Sequence, residues 1–400
     1  MDVIDVYAPM PPEPAPPAAA PAPRRCRIGF MGTGAEYFGI WIVNLLLTIV
    51  TIGIYSAWAK VRKMRYFYRN THLDGSVFDY HGDPVAILKG RILAVLLAIL
   101  YQLSLKLGIF AIVALVGLIA VLPWLLTQSY RFRLHNSSYR GLRFKFSGPL
   151  SQAYLIFGIP MVLLLLPGGI ATALGVAGAD PKQVDHSHLA VFMAVSGLCY
   201  LLLLLSWPYV HFAFKRWQHG HAFYGAARAH FEATAGSFYG PYLAAAGLLL
   251  VLMLVAGILT FALTLGTVAK GHPPDPRRIG IAVIVVGVLA YVAAFSIGPM
   301  VTAWIQNAVW SNTRVEDMRL HSDVRAGRLV GIMVGNLFMV VLSLGLLIPF
   351  AVVRLMKYKL ESIEVLDADA LKRFVGEGTG ARVGTAGEGA VDVMDLDFGL

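Results

Sequence analysis

The sequence predicts an all-α polytopic membrane protein, and three observations support this fold class. Of the 400 residues, 57% are hydrophobic and only 14% are charged, with a mean hydropathy of +0.67. Soluble domains average about 45–50% apolar and about 25% charged residues. Apolar segments recur along almost the whole chain, and a segment in hydrocarbon must satisfy its own backbone hydrogen bonds, which favours helices. This composition argues against an ordinary soluble enzyme, a disordered chain and a fibrous protein.

The composition divides the chain into three regions. Residues 1–35 include eight prolines between Pro9 and Pro23, mixed with alanine, which is typical of a disordered head. Residues 36–360 contain the apolar segments and form the predicted membrane domain. Residues 361–400 are rich in glycine and acidic residues without hydrophobic periodicity, which is typical of a disordered tail.

Eight apolar segments lie in the membrane domain, and most reach the roughly 20 residues that cross a bilayer. The second is short and is followed almost at once by the third, which is typical of a tight helical hairpin. The segments cover residues 37–58, 92–105, 107–126, 153–176, 189–214, 242–268, 279–305 and 329–353.

The distribution of Lys and Arg predicts the orientation of these segments. Four long loops are strongly basic and the alternate connections are not, so the long loops should face the cytoplasm. Two arrangements of the segments place these loops in the cytoplasm, and they differ in where they place the termini. Eight full spans would put both termini outside, although basic residues flank the first and last segments. If those two segments dip into the membrane and return, six segments span and both termini are cytoplasmic.

Internal repeats appear at two levels. The first and last segments have identical polar and glycine residues at a constant offset of 292 residues, so that Asn44 corresponds to Asn336. In the basic loops, Asn70-Thr71 and Asn136-Ser137 are followed by the same spacing of apolar and glycine positions. We therefore expect four quasi-repeated helix pairs. Short β-hairpin-like connectors are predicted clearly in the first two pairs and weakly in the others.

One stretch of the chain resembles a known family. Residues 36–62 (EYFGIWIVNLLLTIVTIGIYSAWAKVR), their continuation through residues 65–75 and the echo at residues 336–354 are similar to the YjgN-like family of bacterial inner-membrane proteins. The resemblance implies a multi-pass protein of the bacterial inner membrane. It implies no established activity, so no catalytic residue can be transferred.

Two groups of residues are candidate sites. Asn44 and Asn336 place amides inside apolar segments, where they would form an inter-helix hydrogen bond or contact a substrate or ion. Basic residues near the segment ends would bind anionic lipid headgroups or serve as topology signals and interfacial anchors. These are Lys60, Arg62, Lys63, Arg65, Arg69, Arg131, Arg133, Arg354 and Lys357.

The motifs give no sign of catalysis. No catalytic constellation, cofactor motif or metal-ligand spacing occurs, and the segments contain almost no ionisable residue. We therefore expect a non-enzymatic membrane module or scaffold without cofactor or metal. Its partners would be anionic lipids on the cytoplasmic face and a protein bound through the tails, not nucleic acid. The alternative is a transporter or channel for a small or amphipathic solute, lined by the related first and last segments.

Overall fold

The computed structural model describes residues 24–104, 109–177, 185–268 and 276–367. Most of the predicted head and tail lies outside these ranges. The described residues form ten helices and eleven strands. The helices are α1 (Gly34–Val50), α2 (Ser56–Arg69), α3 (Pro84–Ser104), α4 (Ile109–His135), α5 (Leu150–Ala173), α6 (His186–Gly220), α7 (Gly236–Val268), α8 (Pro276–Trp310), α9 (Ala326–Leu342) and α10 (Ile348–Glu361). The strands are β1 (Arg25–Arg27), β2 (Gly29–Phe30), β3 (Thr71–Leu73), β4 (Ser76–Tyr80), β5 (Ser137–Tyr139), β6 (Leu142–Phe146), β7 (Ala222–Tyr224), β8 (Ala227–Phe231), β9 (Thr313–Val315), β10 (Met318–Ser322) and β11 (Ile363–Leu366).

The first and last apolar segments each turn back on themselves. A left-handed turn at Ile52 (φ 50°) and Gly53 (φ 88°) separates α1 from α2, and Leu344 (φ 51°) with Gly345 (φ 90°) separates α9 from α10. Leu residues at 342 and 344 and the apolar residues around Ile52 are left exposed at these two tips. Each pair is thus a helical hairpin. A strand precedes its first helix and another strand follows its second helix.

The prediction of an all-α protein is wrong in one respect, because the eleven strands form one antiparallel sheet. The sheet closes on itself through residues 25–30. β1 pairs with β11 and β2 pairs with β3, while the Ile28 amide between them donates to the Ile363 carbonyl at 3.1 Å. We call this closed sheet the strand ring. Strands of two to five residues are short, and residues 142–146 (LRFKF, β6) are the stretch whose period-two alternation predicts a strand.

Tight turns connect the strand pairs of the ring. Two-residue turns join β3 to β4, β5 to β6, β7 to β8 and β9 to β10. Asp74-Gly75 and Arg140-Gly141 have positive φ at both positions, as the twist of a type I′ hairpin requires. The two clearly predicted hairpins are therefore present, and the two weakly predicted ones are also formed.

The molecule contains five units, each a helix pair followed by a strand hairpin. Units one to four begin with α1, α3, α5 and α7. Unit five consists of α9, α10 and β11, and its second strand is the 25–30 segment from the other end of the chain. Five equivalent backbone bonds link neighbouring units at 2.7–3.0 Å: Met31 to Asn70, His81 to Asn136, Ser147 to His221, Glu232 to Asn312 and Asp323 to Ser362. The sequence suggests only four units because no continuous stretch carries the fifth hairpin.

The packing divides into a core inside the ring and a layer of apolar helices. Leu73, Tyr139, Tyr224, Met318 and Val365, one from each unit, fill the ring. The helices follow one another around the ring, and α10 packs on α1. Four described helices are long and apolar enough to cross a membrane: Pro84–Leu103, Leu150–Ala173, His186–Gly220 and Gly236–Ala262. The predicted number of six to eight spans remains a prediction.

The helix–strand rim as a candidate functional site

The rim is the edge of the strand ring at which the second helix of each unit ends. A polar residue follows each of these helices and bonds to the carbonyl four residues earlier, which satisfies one of the free carbonyls at a helix end. Asn70 Nδ2, Asn136 Nδ2 and Asn312 Nδ2 donate at 2.8–2.9 Å, Ser362 Oγ donates at 2.6 Å, and His221 Nδ1 lies 3.0 Å from its carbonyl. This shared cap marks an equivalent position in each of the five units, from which the units can be aligned.

Five residues before each cap lies an equivalent side chain, which we call the rim position. It is occupied by Arg65, Arg131, Arg216, Asn307 and Lys357. In three units it donates to a backbone carbonyl at, or just after, the end of the strand hairpin of its own unit: Arg65 to Tyr80 (3.3 Å), Arg131 to Gly148 (3.5 Å) and Asn307 to Val324 (3.0 Å). In these units the rim side chain therefore fixes the backbone that leads into the next unit.

In unit five the rim position lines a groove instead. The groove lies between α9 and α10, has a volume of about 440 Å³ and includes Arg328, Gly331, Arg354, Lys357 and Tyr358. The Arg328 guanidinium lies over the Tyr358 ring at 5.1 Å. Glu361, the acidic member of the groove, is 3.8 Å from Lys357. The groove thus contains three cations and one carboxylate beside an apolar helix surface.

A second groove of about 600 Å³ occupies the equivalent place in unit three, between α5 and α6. Arg216 is at its rim position, and Trp217 replaces Tyr358. Arg228 adds a further cation from β8. Basic and aromatic side chains therefore line both grooves.

In unit one, a carboxylate occupies the position that corresponds to a cation of the unit-five groove. Glu36 occupies the position that corresponds to Arg328, and the Tyr66 hydroxyl, equivalent to Tyr358, donates to it at 3.2 Å. The same hydroxyl lies 2.9 Å from the Thr33 carbonyl. Burial, together with the Glu36 interaction, raises the pKa of Tyr66 to about 12. Unit five lacks this internal acid, because Arg328 replaces it.

The predicted intramembrane amides bond within their own hairpins. Asn44 Nδ2 donates to the Ala59 carbonyl at 3.4 Å, and Arg62 Nη1 donates to Asn44 Oδ1 at 3.3 Å. Asn336 Nδ2 donates to the Ala351 carbonyl at 2.9 Å, but its Oδ1 has no partner among the described residues. Each amide therefore joins the two helices of one hairpin.

The predicted basic residues do not form one surface. Arg65 and Arg131 make the bonds to backbone carbonyls described above. Lys60 and Arg62 lie on α2 beside α1, in the part predicted to be a cytoplasmic loop, while Lys63 is exposed on the same helix. Arg69 forms an ion pair with Asp79 at 2.9 Å. Arg133 is half-buried, and only Arg354 and Lys357 of the predicted set share a groove.

The turn edge of the ring carries a separate ion-pair cluster. Asp74, in the first turn, contacts Arg140 of the second turn at 2.8 Å and Arg24 at 2.7 Å. The hydrogen bond from Arg140 lowers the pKa of Asp74, an effect that partial burial opposes and the Arg24 charge supports. This cluster joins two hairpins to the segment that closes the ring.

Sequence reasoning missed Arg328 and Arg216 as members of the grooves. Both were visible only as basic residues in long loops. Their role becomes apparent when the five units are aligned on the capping residues. In three units the rim residue forms a hydrogen bond to a backbone carbonyl, whereas Arg216 and Lys357 line grooves.

Helix pairs on a strand ring, with four described helices long and apolar enough to cross a membrane, are the arrangement expected of a membrane protein. A family model described as a bacterial protein of unknown function (DUF898) matches residues 25–393. The chain belongs to this family, and the predicted YjgN-like resemblance is confirmed. The match begins at the first residue of β1, so the ring-closing segment lies within the family domain.

Curated relatives support this assignment. The chain is 33% identical over 144 residues to inner membrane protein YjgN of Salmonella typhimurium LT2, covering 34% of this chain and 35% of the relative. It is 30% identical over 169 residues to the protein of the same name from Escherichia coli O157:H7, covering 42% of this chain and 41% of that one. The matched region thus spans less than half of either relative. No solved structure matches the chain.

Proposed function

We propose that this protein is a non-enzymatic membrane module that holds anionic phospholipids in the grooves of units three and five. The observation that carries the proposal is the division of the rim positions. Arg65, Arg131 and Asn307 are occupied by bonds to backbone carbonyls, whereas Arg216 and Lys357 face grooves. Cations at a membrane surface attract anionic headgroups by about 1 kcal/mol each.

The surroundings of the unit-five groove also favour a phospholipid. Arg328, Arg354 and Lys357 exceed the single carboxylate of Glu361, so the groove has a net positive charge that a phosphodiester would neutralise. Tyr358 supplies an amphipathic ring of the kind found at membrane interfaces. The apolar surface of α9 continues from the groove and would contact the acyl chains.

The proposal includes an orientation. All helix pairs begin and end on the strand ring, so the ring lies on one side of the membrane. Because Lys and Arg are concentrated near the ring, that side is the cytoplasm. The hairpins α1–α2 and α9–α10 would then enter the membrane and return, which leaves α3 to α8 as the spanning helices.

Native mass spectrometry of protein extracted from phosphatidylglycerol-containing bilayers tests the proposal. Wild type should retain phosphatidylglycerol, and the Arg328→Gln/Arg354→Gln/Lys357→Gln variant should retain much less. The matched control is Arg319→Gln, which removes one exposed cation near the turn edge of the ring. Equal lipid retention by the triple variant and the wild type would count against the proposal.

A steric variant separates lipid binding from a general charge effect. A side chain at Gly331 meets no atom within 4 Å of its Cβ position, and Gly331 lines the groove. Gly331→Phe should therefore fill the groove while all three cations remain. Gly327→Phe, at an equally open position outside the lining, should retain lipid like the wild type.

The second candidate function is a path for a small or amphipathic solute. It is supported by the closed succession of helices around the ring and by the packing of α1 on α10. The bonding of Asn44 and Asn336 within their own hairpins favours a structural role for these amides. Solute flux in proteoliposomes that is lost in Asn44→Leu/Asn336→Leu, with the protein still folded, would support the transport candidate instead.

A further inference from the structure

The unit-three groove differs from the equivalent places in units one and five because no carboxylate is among its lining residues. When the units are aligned on the backbone bonds that link them, Gln152 of the groove corresponds to Glu36 of unit one. Gly220 of the groove corresponds to Glu361 of unit five, since each directly precedes the cap. Both positions that carry an acid in another unit are therefore neutral in unit three.

The aromatic residue next to the rim position supports this alignment. Trp217 Nε1 donates to the Pro149 carbonyl at 3.2 Å, and in unit one the Tyr66 hydroxyl lies 2.9 Å from the equivalent Thr33 carbonyl. The Tyr66 hydroxyl also contacts Glu36 at 3.2 Å. An indole has a single N–H and no acceptor, and the Pro149 carbonyl takes that donor. Unit three thus lacks both the acid and the hydroxyl that holds it in unit one.

Two guanidinium groups line the groove, and both side chains are exposed. Arg216 extends from the rim position of α6. Arg228 extends from β8, and its Nε contacts the Gly220 carbonyl at 3.4 Å, which places it at the end of α6. One acid is close: Glu316 accepts from the Arg228 backbone amide at 3.2 Å but does not line the groove. The lining therefore contains two arginine charges and no negative charge.

The groove also contains an imidazole with a defined free acceptor. His221 Nδ1 lies 3.0 Å from the Trp217 carbonyl. Because a carbonyl only accepts, Nδ1 carries the hydrogen of this bond, and Nε2 of the neutral ring is an acceptor. His221 lines the groove, so Nε2 is the ring atom that it can offer to a ligand. A matching ligand would bring both negatively charged oxygens and a hydroxyl.

The groove is polar at one end and apolar at the other. Helix α5 begins at the strand ring and α6 ends there, so Gln152 and His221 lie at the ring end. Leu155 and Tyr209 lie farther along the two helices and are 66% and 54% exposed. The twelve residues between Tyr209 and His221 correspond to about 18 Å of helix. This polarity suits an amphipathic ligand with its headgroup at the ring.

We infer that the unit-three groove selects a phosphomonoester over a phosphodiester, an inference that rests on the proposed binding of lipids in the grooves. A phosphomonoester has about −1.5 to −2 charges at pH 7 and three acceptor oxygens, whereas a phosphodiester has a single charge. Arg216 and Arg228 would each bind terminal oxygens through two N–H groups. When one oxygen is protonated, its hydroxyl would donate to His221 Nε2, and a phosphodiester has no such hydroxyl.

Native mass spectrometry of the full chain from bilayers with equal amounts of phosphatidic acid and phosphatidylglycerol tests the inference. Wild type should retain phosphatidic acid in unit three, and Arg216→Gln should reduce the bound fraction several-fold. Gly220→Glu introduces the acid that unit five carries, at a position where a Cβ meets no atom within 4 Å, and should abolish this binding. The matched control is Gly327→Glu, which adds the same charge at an equally open position outside both linings.

Gln152→Glu is a second variant that removes no cation, and it introduces the acid that unit one carries. It should also lose phosphatidic acid while phosphatidylglycerol remains in unit five. Retention of phosphatidic acid by Gly220→Glu and Gln152→Glu at the level of wild type would overturn the inference. So would equal loss in Gly220→Glu and the Gly327→Glu control.

Two further comparisons separate the source of the ligand and the two proposals. If the ligand is free phosphate, inorganic phosphate should raise the Tm of delipidated wild type but not of Gly220→Glu, and phosphatidic acid should not be retained. The triple variant of the unit-five groove should lose phosphatidylglycerol and keep phosphatidic acid. If the unit-three variants change neither lipid, only this inference fails. If wild type retains neither lipid and does not respond to phosphate, both proposals fail.

Discussion

Side chains at equivalent positions make different interactions in the five units. Arg65 and Arg131 bond to the backbone that leads into the next unit, whereas Arg216 and Lys357 line grooves. A basic residue near a membrane segment is therefore ambiguous until its acceptor is known. The same holds for Asn44 and Asn336, which occupy equivalent sites but have different numbers of bonds.

The two hairpin amides should contribute unequally to stability. Asn44 makes a bond to Ala59 and accepts one from Arg62, while Asn336 makes one bond and leaves Oδ1 without a partner in the described structure. Hydrogen bonds between membrane helices average about 0.6 kcal/mol. Asn44→Leu should therefore lower the free energy of unfolding by about 1–2 kcal/mol, and Asn336→Leu by less. Denaturation in detergent measures both, and a larger cost at Asn336 would contradict the expectation.

Asp74 should make the strand ring sensitive to acid. Its pKa is lowered in the folded protein, chiefly by the hydrogen bond from Arg140. Its contribution is therefore complete above its unfolded pKa of about 4 and is lost as pH falls through the lower folded-state pKa. Asp74→Asn should reduce the Tm at pH 7, and the difference from wild type should shrink below about pH 4.

The control for this experiment is Glu361→Gln. Glu361 forms an exposed pair with Lys357 at 3.8 Å, and such pairs contribute little to stability. A Tm difference between Asp74→Asn and wild type that stays constant from pH 7 to pH 3 would argue against the role of Asp74.

At the scale of elements, the two short helical hairpins differ from the three long helix pairs. α1 and α9 each have 17 residues, or about 25 Å of helix, and both end in exposed apolar turns. Ile52 is 93% exposed and Leu344 is 94% exposed. Branched and apolar residues at such tips are costly in water, so the tips are suited to hydrocarbon.

Spin labels at the tips test their environment. Ile52→Cys and Leu344→Cys, each in a Cys26→Ser/Cys199→Ala background, should give nitroxides that collide with oxygen more than with a water-soluble nickel chelate. A label at Val77→Cys on the strand ring is the aqueous reference. Tip labels as accessible to the chelate as the reference label would contradict insertion of the hairpins.

Sequence patterns predicted the helices better than the strands. Seven of the eight apolar runs exceed 15 residues, and the described part of every run overlaps helices of the structure, although turns divide the first and last runs into two helices each. The strands have at most five residues, so only the turn residues Asp74-Gly75, the alternation at residues 142–146 and the spacing around Asn136 pointed to hairpins. The break at Ile52 was not predictable from composition, since isoleucine rarely adopts positive φ.

The candidate sites were predictable only in part. Arg354 and Lys357 stood out as basic residues after an apolar segment, but their groove depends on Arg328 from another helix.

At the scale of the whole molecule, the closed ring predicts that all strands lie on the same side of the membrane. Cysteines at Val77, Arg143 and Arg319, on three hairpins of the ring, should react with an impermeant maleimide only after the inner membrane is opened. A cysteine at Ala177, beyond the end of α5, should react in intact spheroplasts. Reaction of ring cysteines from both sides of the membrane would contradict this arrangement.

The split fifth unit has a consequence for biosynthesis. The segment 25–30 leaves the ribosome first and finds one partner in β3, but its other edge pairs with β11, which is made more than 300 residues later. Throughout translation the growing sheet therefore has an open edge, the type of edge that invites mispairing with other chains. Only a chain translated through β11 can close it. Ring closure thus distinguishes such chains from prematurely terminated ones, whose exposed edge would be available to proteases and chaperones.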